Sequence, residues 1–234
     1  MTFPAQPPAS LDDPTVIQAH DWEAFRSAGH MQNHWSRATW TVPRRTYHWM
    51  LSFHDAPDVR ELAAKCQANI DRPEFDLIPL DLVHMTIGRI AFTDEIDRPT
   101  IARLAEAAQA SCATLPAFDL TVGPLTGSRG ALRYSVAPWS PLLELHRRLS
   151  AVTSEQLGSA DRLDTERFRP HISIAYSNAD VPLAGLLPLM NELRTFGTAP
   201  TKVTAASLVE LRLEDRVYRY EEVSRIPLGV GTQS

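Results

Sequence analysis

The sequence predicts an α+β fold made of two similar halves, and three observations carry that expectation. Strand-like and helical segments alternate along the 234 residues without the steady β-α rhythm of a doubly wound sheet. Neither G-x-G-x-x-G nor G-x-x-x-x-G-K-[ST] occurs, so no glycine loop is offered to a dinucleotide or a nucleoside triphosphate. A pattern of histidine, apolar residue, hydroxyl residue and apolar residue occurs twice, as His84-Met85-Thr86-Ile87 and His171-Ile172-Ser173-Ile174.

Taken in order, residues 1–44 read as an N-terminal leader and arm, and residues 45–230 as a single domain. Prolines at 4, 7, 8 and 14 leave little regular structure before a helix opened by Asp12 or Asp13, with Pro14 in its first turn and Gly29 as its stop. "YHWMLSF" (47–53) is an apolar, aromatic-rich strand. "DVRELAAKCQANI" after it has helical spacing at Val59, Leu62, Ala63 and Cys66. Residues 77–90 return as extended structure, and 100–115 form a helix. Residues 118–138 form a hairpin whose connection carries Gly127, Ser128 and Gly130. A helix from Pro141 to Gly158, the second motif strand and a short helix around 183–194 follow. The last stretch, 201–228, reads as two long strands reversing at Glu214 and Asp215.

The totals exclude several classes. A net charge of -5 and a pI of about 5.9 are not those of a protein that wraps duplex nucleic acid, so a polyanion would have to be met locally. Cys66 and Cys112 are far apart and sit near no histidine at metal-ligand spacing, which points to a reducing cytoplasm and away from structural zinc. The leader is acidic and proline-rich, unlike a signal peptide. No window approaches the ~18 consecutive apolar residues of a membrane span.

Strand side chains alternate, so His84 shares a face with Thr86, and His171 with Ser173, while Met85, Ile87, Ile172 and Ile174 point to a core. A lone strand histidine is most often structural. Two copies of one pattern change that balance, because two imidazoles across a cleft can serve as general base and general acid near neutral pH, with hydroxyls beside them to hold non-bridging phosphate oxygens. Such a site needs no metal, and no cofactor is expected.

These residues resemble the paired H-x-[ST]-x motifs of the two-histidine (2H) phosphoesterase superfamily, which includes the 2′-5′ RNA ligase-like and 2′,3′-cyclic nucleotide phosphodiesterase proteins. "FRPHISIAYS" is also similar to that family's second-motif neighbourhood, through Phe168, Pro170 and His171. The resemblance spans roughly residues 45–228. It implies a bilobal, pseudo-twofold α+β fold with two antiparallel sheets lining a central cleft and helices outside. It also implies an acid-base pair in His84 and His171, phosphate-holding hydroxyls in Thr86 and Ser173, and action on RNA ends or small nucleotides with 2′,3′-cyclic or 2′-5′ linkages; the chain is expected to be a monomer. His171 is taken as base and His84 as acid for hydrolysis; a 5′-hydroxyl in place of water would make the same geometry a ligase.

Several family members carry a basic residue five positions after the second histidine, where this chain has Tyr176. Arg89 stands at that place after His84, although simple alternation turns it away from the histidine's face unless a bulge intervenes. Arg129 in the hairpin connection and Arg169 beside the motif are the other candidate cations. Tyr176 and Tyr47 are candidate stacking residues, with core packing the more ordinary role for Tyr47 and Trp49. "HMQNHWSRATW" (30–40) could cap the cleft, with an arm packed on the outside the more ordinary explanation. "PRR" (43–45) and "HRR" (146–148) are small basic patches, the second more simply a solvated helical face. A binding module that keeps the cleft without turnover is the alternative to an enzyme.

Overall fold

A computed structural model describes residues 2–37, 44–158 and 164–229. Proline stands in the first turn of all five described helices, α1 (Pro14–Arg26), α2 (Pro57–Gln67), α3 (Arg98–Cys112), α4 (Ser140–Leu157) and α5 (Leu187–Arg194), where its missing N–H costs no intrahelical bond. Asp13 caps α1 by accepting from the Thr15 and Val16 amides at 2.8 and 3.3 Å, and Asp97 caps α3 by accepting from the Thr100 amide at 2.9 Å. The left-handed Gly158, with φ of 65°, ends α4.

Eleven strands are described: β1 (His30–Met31), β2 (Thr46–Ser52), β3 (Phe75–Leu77), β4 (His84–Phe92), β5 (Phe118–Gly127), β6 (Ala131–Ala137), β7 (Ile172–Ser177), β8 (Val181–Pro182), β9 (Ala199–Val203), β10 (Ala205–Glu214) and β11 (Val217–Pro227). They form a four-stranded sheet ordered β11-β10-β2-β4, a five-stranded sheet ordered β3-β7-β6-β5-β9, and the two-residue pair β1-β8. Every pairing in the two large sheets is antiparallel. The halves correspond strand by strand: β10-β2-β4 matches β5-β6-β7, with α2 between β2 and β4 and α4 between β6 and β7. This is the predicted pseudo-twofold, two-sheet α+β fold.

The lobes exchange helices. Although α2 follows a strand of the four-stranded sheet, it packs against β7 and β9, and Gln67 Nε2 donates to Ile174 O at 2.9 Å. Conversely α4 follows β6 yet packs against β4 and α3, and the buried Trp49 indole on β2 donates to Thr153 Oγ1 on α4 at 2.9 Å. Each helix therefore closes the outer face of the opposite sheet, and one apolar core runs through both halves.

Helix α1 packs on β5 and β6, and Ile17, Phe25 and Met31 are fully buried in the common core. The Phe25 ring lies 2.3 Å from where a Cβ on Gly127 would stand, so glycine is required there. The prolines do exclude helix from residues 2–11, but their carbonyls find partners, Pro4 O and Ala5 O accepting from Arg169 at 3.1 and 3.2 Å and Leu11 O from the Trp139 amide at 2.6 Å. Residues 201–228 hold parts of three strands, because the chain passes at Thr204 from β9 in one sheet to β10 in the other; the hairpin then turns at Asp215 and Arg216, both with positive φ. The extended run 77–90 is broken by Pro79 and a short 3₁₀ turn at Leu80–Leu82 before β4 begins at His84. Trp40, Pro43 and the residue at 230 lie outside the described residues.

Candidate active site

The two motif strands share a local irregularity that sets what faces the cleft. On β4, Met50 pairs with Thr86 and Trp49 with Gly88, so Ile87 is an extra, bulged residue. On β7, Arg133 pairs with Ser173 and Leu132 with Ala175, so Ile174 is bulged in the same way. A bulge reverses the alternation beyond it. Past His84 and Thr86 the next side chain on that face is therefore Arg89, and past His171 and Ser173 it is Tyr176. The bulge that Arg89 needed is present. Arg89 stands opposite His48, with its guanidinium 4.9 Å from the Phe92 ring centre and outside the cavity lining.

Between the sheets lies a cavity of about 370 Å³, onto which His84, Thr86, His171 and Ser173 all open. Each imidazole is held identically. His84 Nδ1 donates to Leu82 O, and His171 Nδ1 to Arg169 O, both at 2.7 Å and both two residues back along the chain. A carbonyl can only accept, so each Nδ1 carries the proton and each Nε2 is left for a ligand. Burial holds His84 below the ordinary histidine range, against the opposing pull of the Leu82 carbonyl. His171 is pushed down to about 4, chiefly by burial and then by the Arg133 guanidinium.

Arg133, which sequence reasoning missed, is the inner cation of the cavity. It is fully buried, its Nε donates to Gly127 O at 3.4 Å, its Nη2 to Asp21 Oδ1 at 3.4 Å, and its Nη1 is buried with no hydrogen-bond partner among the described residues. Arg129 lines the mouth and is exposed. Arg169 does not line the cavity, because its guanidinium is taken up by carbonyls of residues 4, 5, 166 and 168.

Tyr176 reaches the cavity, where its ring stacks on His34 at 4.1 Å between centroids, while Trp35 and Tyr218 meet its edge at 5.4 Å each. His34 Nε2 is hydrogen-bonded to Tyr218 OH at 3.0 Å. The arm thus does cap the cleft through His34, and Phe3 of the leader lines it as well. Tyr47 does not reach it: its side chain is buried on the opposite face of β2 beside Ile101 and Ala105 of α3. The neighbouring His48 takes the cavity position instead, hydrogen-bonded to Thr46 Oγ1 at 3.1 Å and pushed down to about 3 by burial and then by His84 and Arg89. Among the described residues no three His, Cys, Asp or Glu side chains converge as ligands of a metal ion.

Two antiparallel sheets, each presenting a histidine and a hydroxyl from an equivalent bulged strand to a shared cavity, define a two-histidine phosphoesterase-type fold. The family model of the 2′-5′ RNA ligase superfamily matches residues 51–215, and the chain belongs to that superfamily. Solved structures agree on the fold. E. coli LigT complexed with 3′-AMP superimposes with a TM-score of 0.60 at 16% identity, covering 80% of this chain and 99% of that one. TT0787 of Thermus thermophilus gives 0.59 at 18% identity, covering 81% and 100%. A chain described as a phosphoesterase gives 0.58 at 18%, covering 80% and 99%. No curated protein matches.

Proposed function

We propose that this chain is a metal-independent phosphoesterase acting on 2′,3′-cyclic phosphates or 2′-5′ phosphodiester linkages of RNA ends or small nucleotides. The observation that carries the reading is the matched pair of imidazoles, each locked by Nδ1 onto a backbone carbonyl and each opening onto one cavity. Superfamily membership supports phosphoesterase or ligase chemistry, and the relative LigT has been crystallised with 3′-AMP and with ATP.

In hydrolysis His171 Nε2 takes a proton from water as its oxygen attacks phosphorus. His84, protonated at Nε2, gives that proton to the departing ribose oxygen, and charge on the non-bridging oxygens meets Arg133 Nη1 and the Thr86 and Ser173 hydroxyls. The asymmetry of the site supports these roles, because Arg133 pairs in register with Ser173 and adds to the burial that lowers the proton affinity of His171, whereas its counterpart opposite Thr86 is Met50. With an RNA 5′-hydroxyl in place of water, the same exchange of protons makes a linkage. Arg129 at the mouth suits a neighbouring phosphate, and Tyr176 with His34 offers rings to a base.

The protein is expected to work as a monomer in the cytoplasm, consistent with its buried, unpaired Cys66 and Cys112. Among the described residues no helix is long and apolar enough to cross a membrane. The test is a panel of nucleoside 2′,3′-cyclic phosphates and 2′-5′ dinucleotides, incubated with the protein in EDTA. Turnover of at least one supports the reading; binding without consumption of any makes the chain a nucleotide-binding module instead.

A further inference from the structure

Helix α1 lies outside the segment matched by the family model, yet it reaches the cavity's inner cation. Its buried face is Ile17, Asp21 and Phe25, spaced four residues apart, so a carboxylate stands where the helix pattern calls for an apolar side chain. Asp21 is fully buried; Oδ2 accepts from Ser135 Oγ at 2.8 Å and Oδ1 from Arg133 Nη2 at 3.4 Å. Ser135 and Arg133 stand two apart on β6, on the face that carries the cavity. The other charged or titratable groups near this carboxylate are His20, whose Nδ1 is 4.0 Å from Oδ1, and Arg169 and Arg194, whose charges also feel it.

Burying an ion pair gives little net stability, and an apolar pair would serve the core as well. What the pair does achieve is orientation. Asp21 and Gly127 O hold two nitrogens of the guanidinium, the Phe3 ring centre lies 5.8 Å from its carbon, and the third nitrogen, Nη1, is left buried without a described hydrogen-bond partner on a residue that lines the cavity. A buried donor of that kind is costly unless something fills it.

We infer that Asp21 is a positioning residue: from the N-terminal helix it fixes the Arg133 fork so that Nη1 meets a phosphate oxygen of the substrate. The inference rests on the proposed phosphoesterase reading for its substrate, but phosphate binding alone can test it. Asp21→Asn keeps the shape and an acceptor for Ser135 while removing the charge that aligns Arg133.

Its affinity for inorganic phosphate, measured by calorimetry, should fall roughly tenfold, as for loss of a charge-assisted hydrogen bond. KM for a nucleoside 2′,3′-cyclic phosphate should rise by a similar factor. The acid limb of kcat/KM should move to lower pH, because an uncompensated Arg133 weakens the proton affinity of His171 further. A folded Asp21→Asn protein with the parent's phosphate affinity, KM and acid limb overturns the inference.

Should Asp21→Asn fail to fold, Ser135→Ala removes only the second anchor of the carboxylate. There, severalfold weaker phosphate binding supports the inference and unchanged binding overturns it. If the parent consumes no substrate in the panel, the phosphoesterase reading fails, while the phosphate titrations still decide the role of Asp21.

Discussion

Ile87 and Ile174 occupy the same place in the two halves: each is a bulged residue of its motif strand, three positions after the histidine, and each is buried behind the cavity. The bulge turns a four-residue pattern into a site, since it brings the fifth residue after each histidine onto the histidine's own face. The halves then diverge in what they place there, Arg89 in one and Tyr176 in the other.

The first prediction concerns pH and activity. The pH dependence of kcat/KM reports the acid and base of the free enzyme. With His171 at about 4 and His84 held below its ordinary value of 6.5, the profile should be a bell whose optimum lies on the acid side of 6.5 and which falls as pH rises toward 8. A plateau extending from pH 6.5 to 8 would contradict the assignment of His84 as the acid.

Stability should depend on pH through other histidines as well. His48 at about 3 and His146 at about 4 are both depressed by burial, so the unfolded chain binds protons that the folded one refuses. The stability they contribute is complete above the unfolded value of about 6.5 and is lost as pH falls from there toward about 4, by about 1.4 kcal/mol per pH unit for each. Urea midpoints measured between pH 7.5 and 5 should drop accordingly, and His146→Leu should flatten the slope.

Thr153→Val should cost about 1–3 kcal/mol, because it strands the buried Trp49 indole N–H that links β2 to α4. Urea unfolding measures the loss. Activity per folded molecule should be unchanged, since the pair lies behind the sheet and outside the cavity lining.

Tyr47→Phe should leave kcat and KM within about twofold of the parent, whereas Tyr176→Leu should raise KM for base-bearing substrates by roughly tenfold, the order expected for a lost stacking contact. The contrast follows from their faces, Tyr47 beneath α3 and Tyr176 on the cavity. Equal effects of the two substitutions would sink this part of the site.

Much of this was legible in the sequence, and the parts that were not have a common cause. Local patterns carried the helices, whose prolines and capping aspartates lie within a few residues of the turns they start, and the two motifs, whose alternation puts histidine and hydroxyl on one face. Arg133 was hidden because every residue of "ALRYSVA" is buried, so no alternation marked its face, and because its partner Asp21 is 112 positions away. His48 was masked by the aromatic residues on either side, which drew attention to the opposite face. The leader's prolines correctly excluded helix but were silent on docking, which depends on Arg169 and Trp139 far along the chain. Bulges are likewise a property of pairing, and Arg89 could be placed only once the partner of Ile87 was seen to be missing.

The most direct test of the account is the turnover of a nucleoside 2′,3′-cyclic phosphate in EDTA by His84→Ala and His171→Ala, each beside the parent. Each should lose on the order of 10²- to 10⁴-fold in kcat, the usual worth of a positioned acid or base, while unfolding as cooperatively as the parent. Parental turnover in both single variants would contradict the proposed acid-base pair.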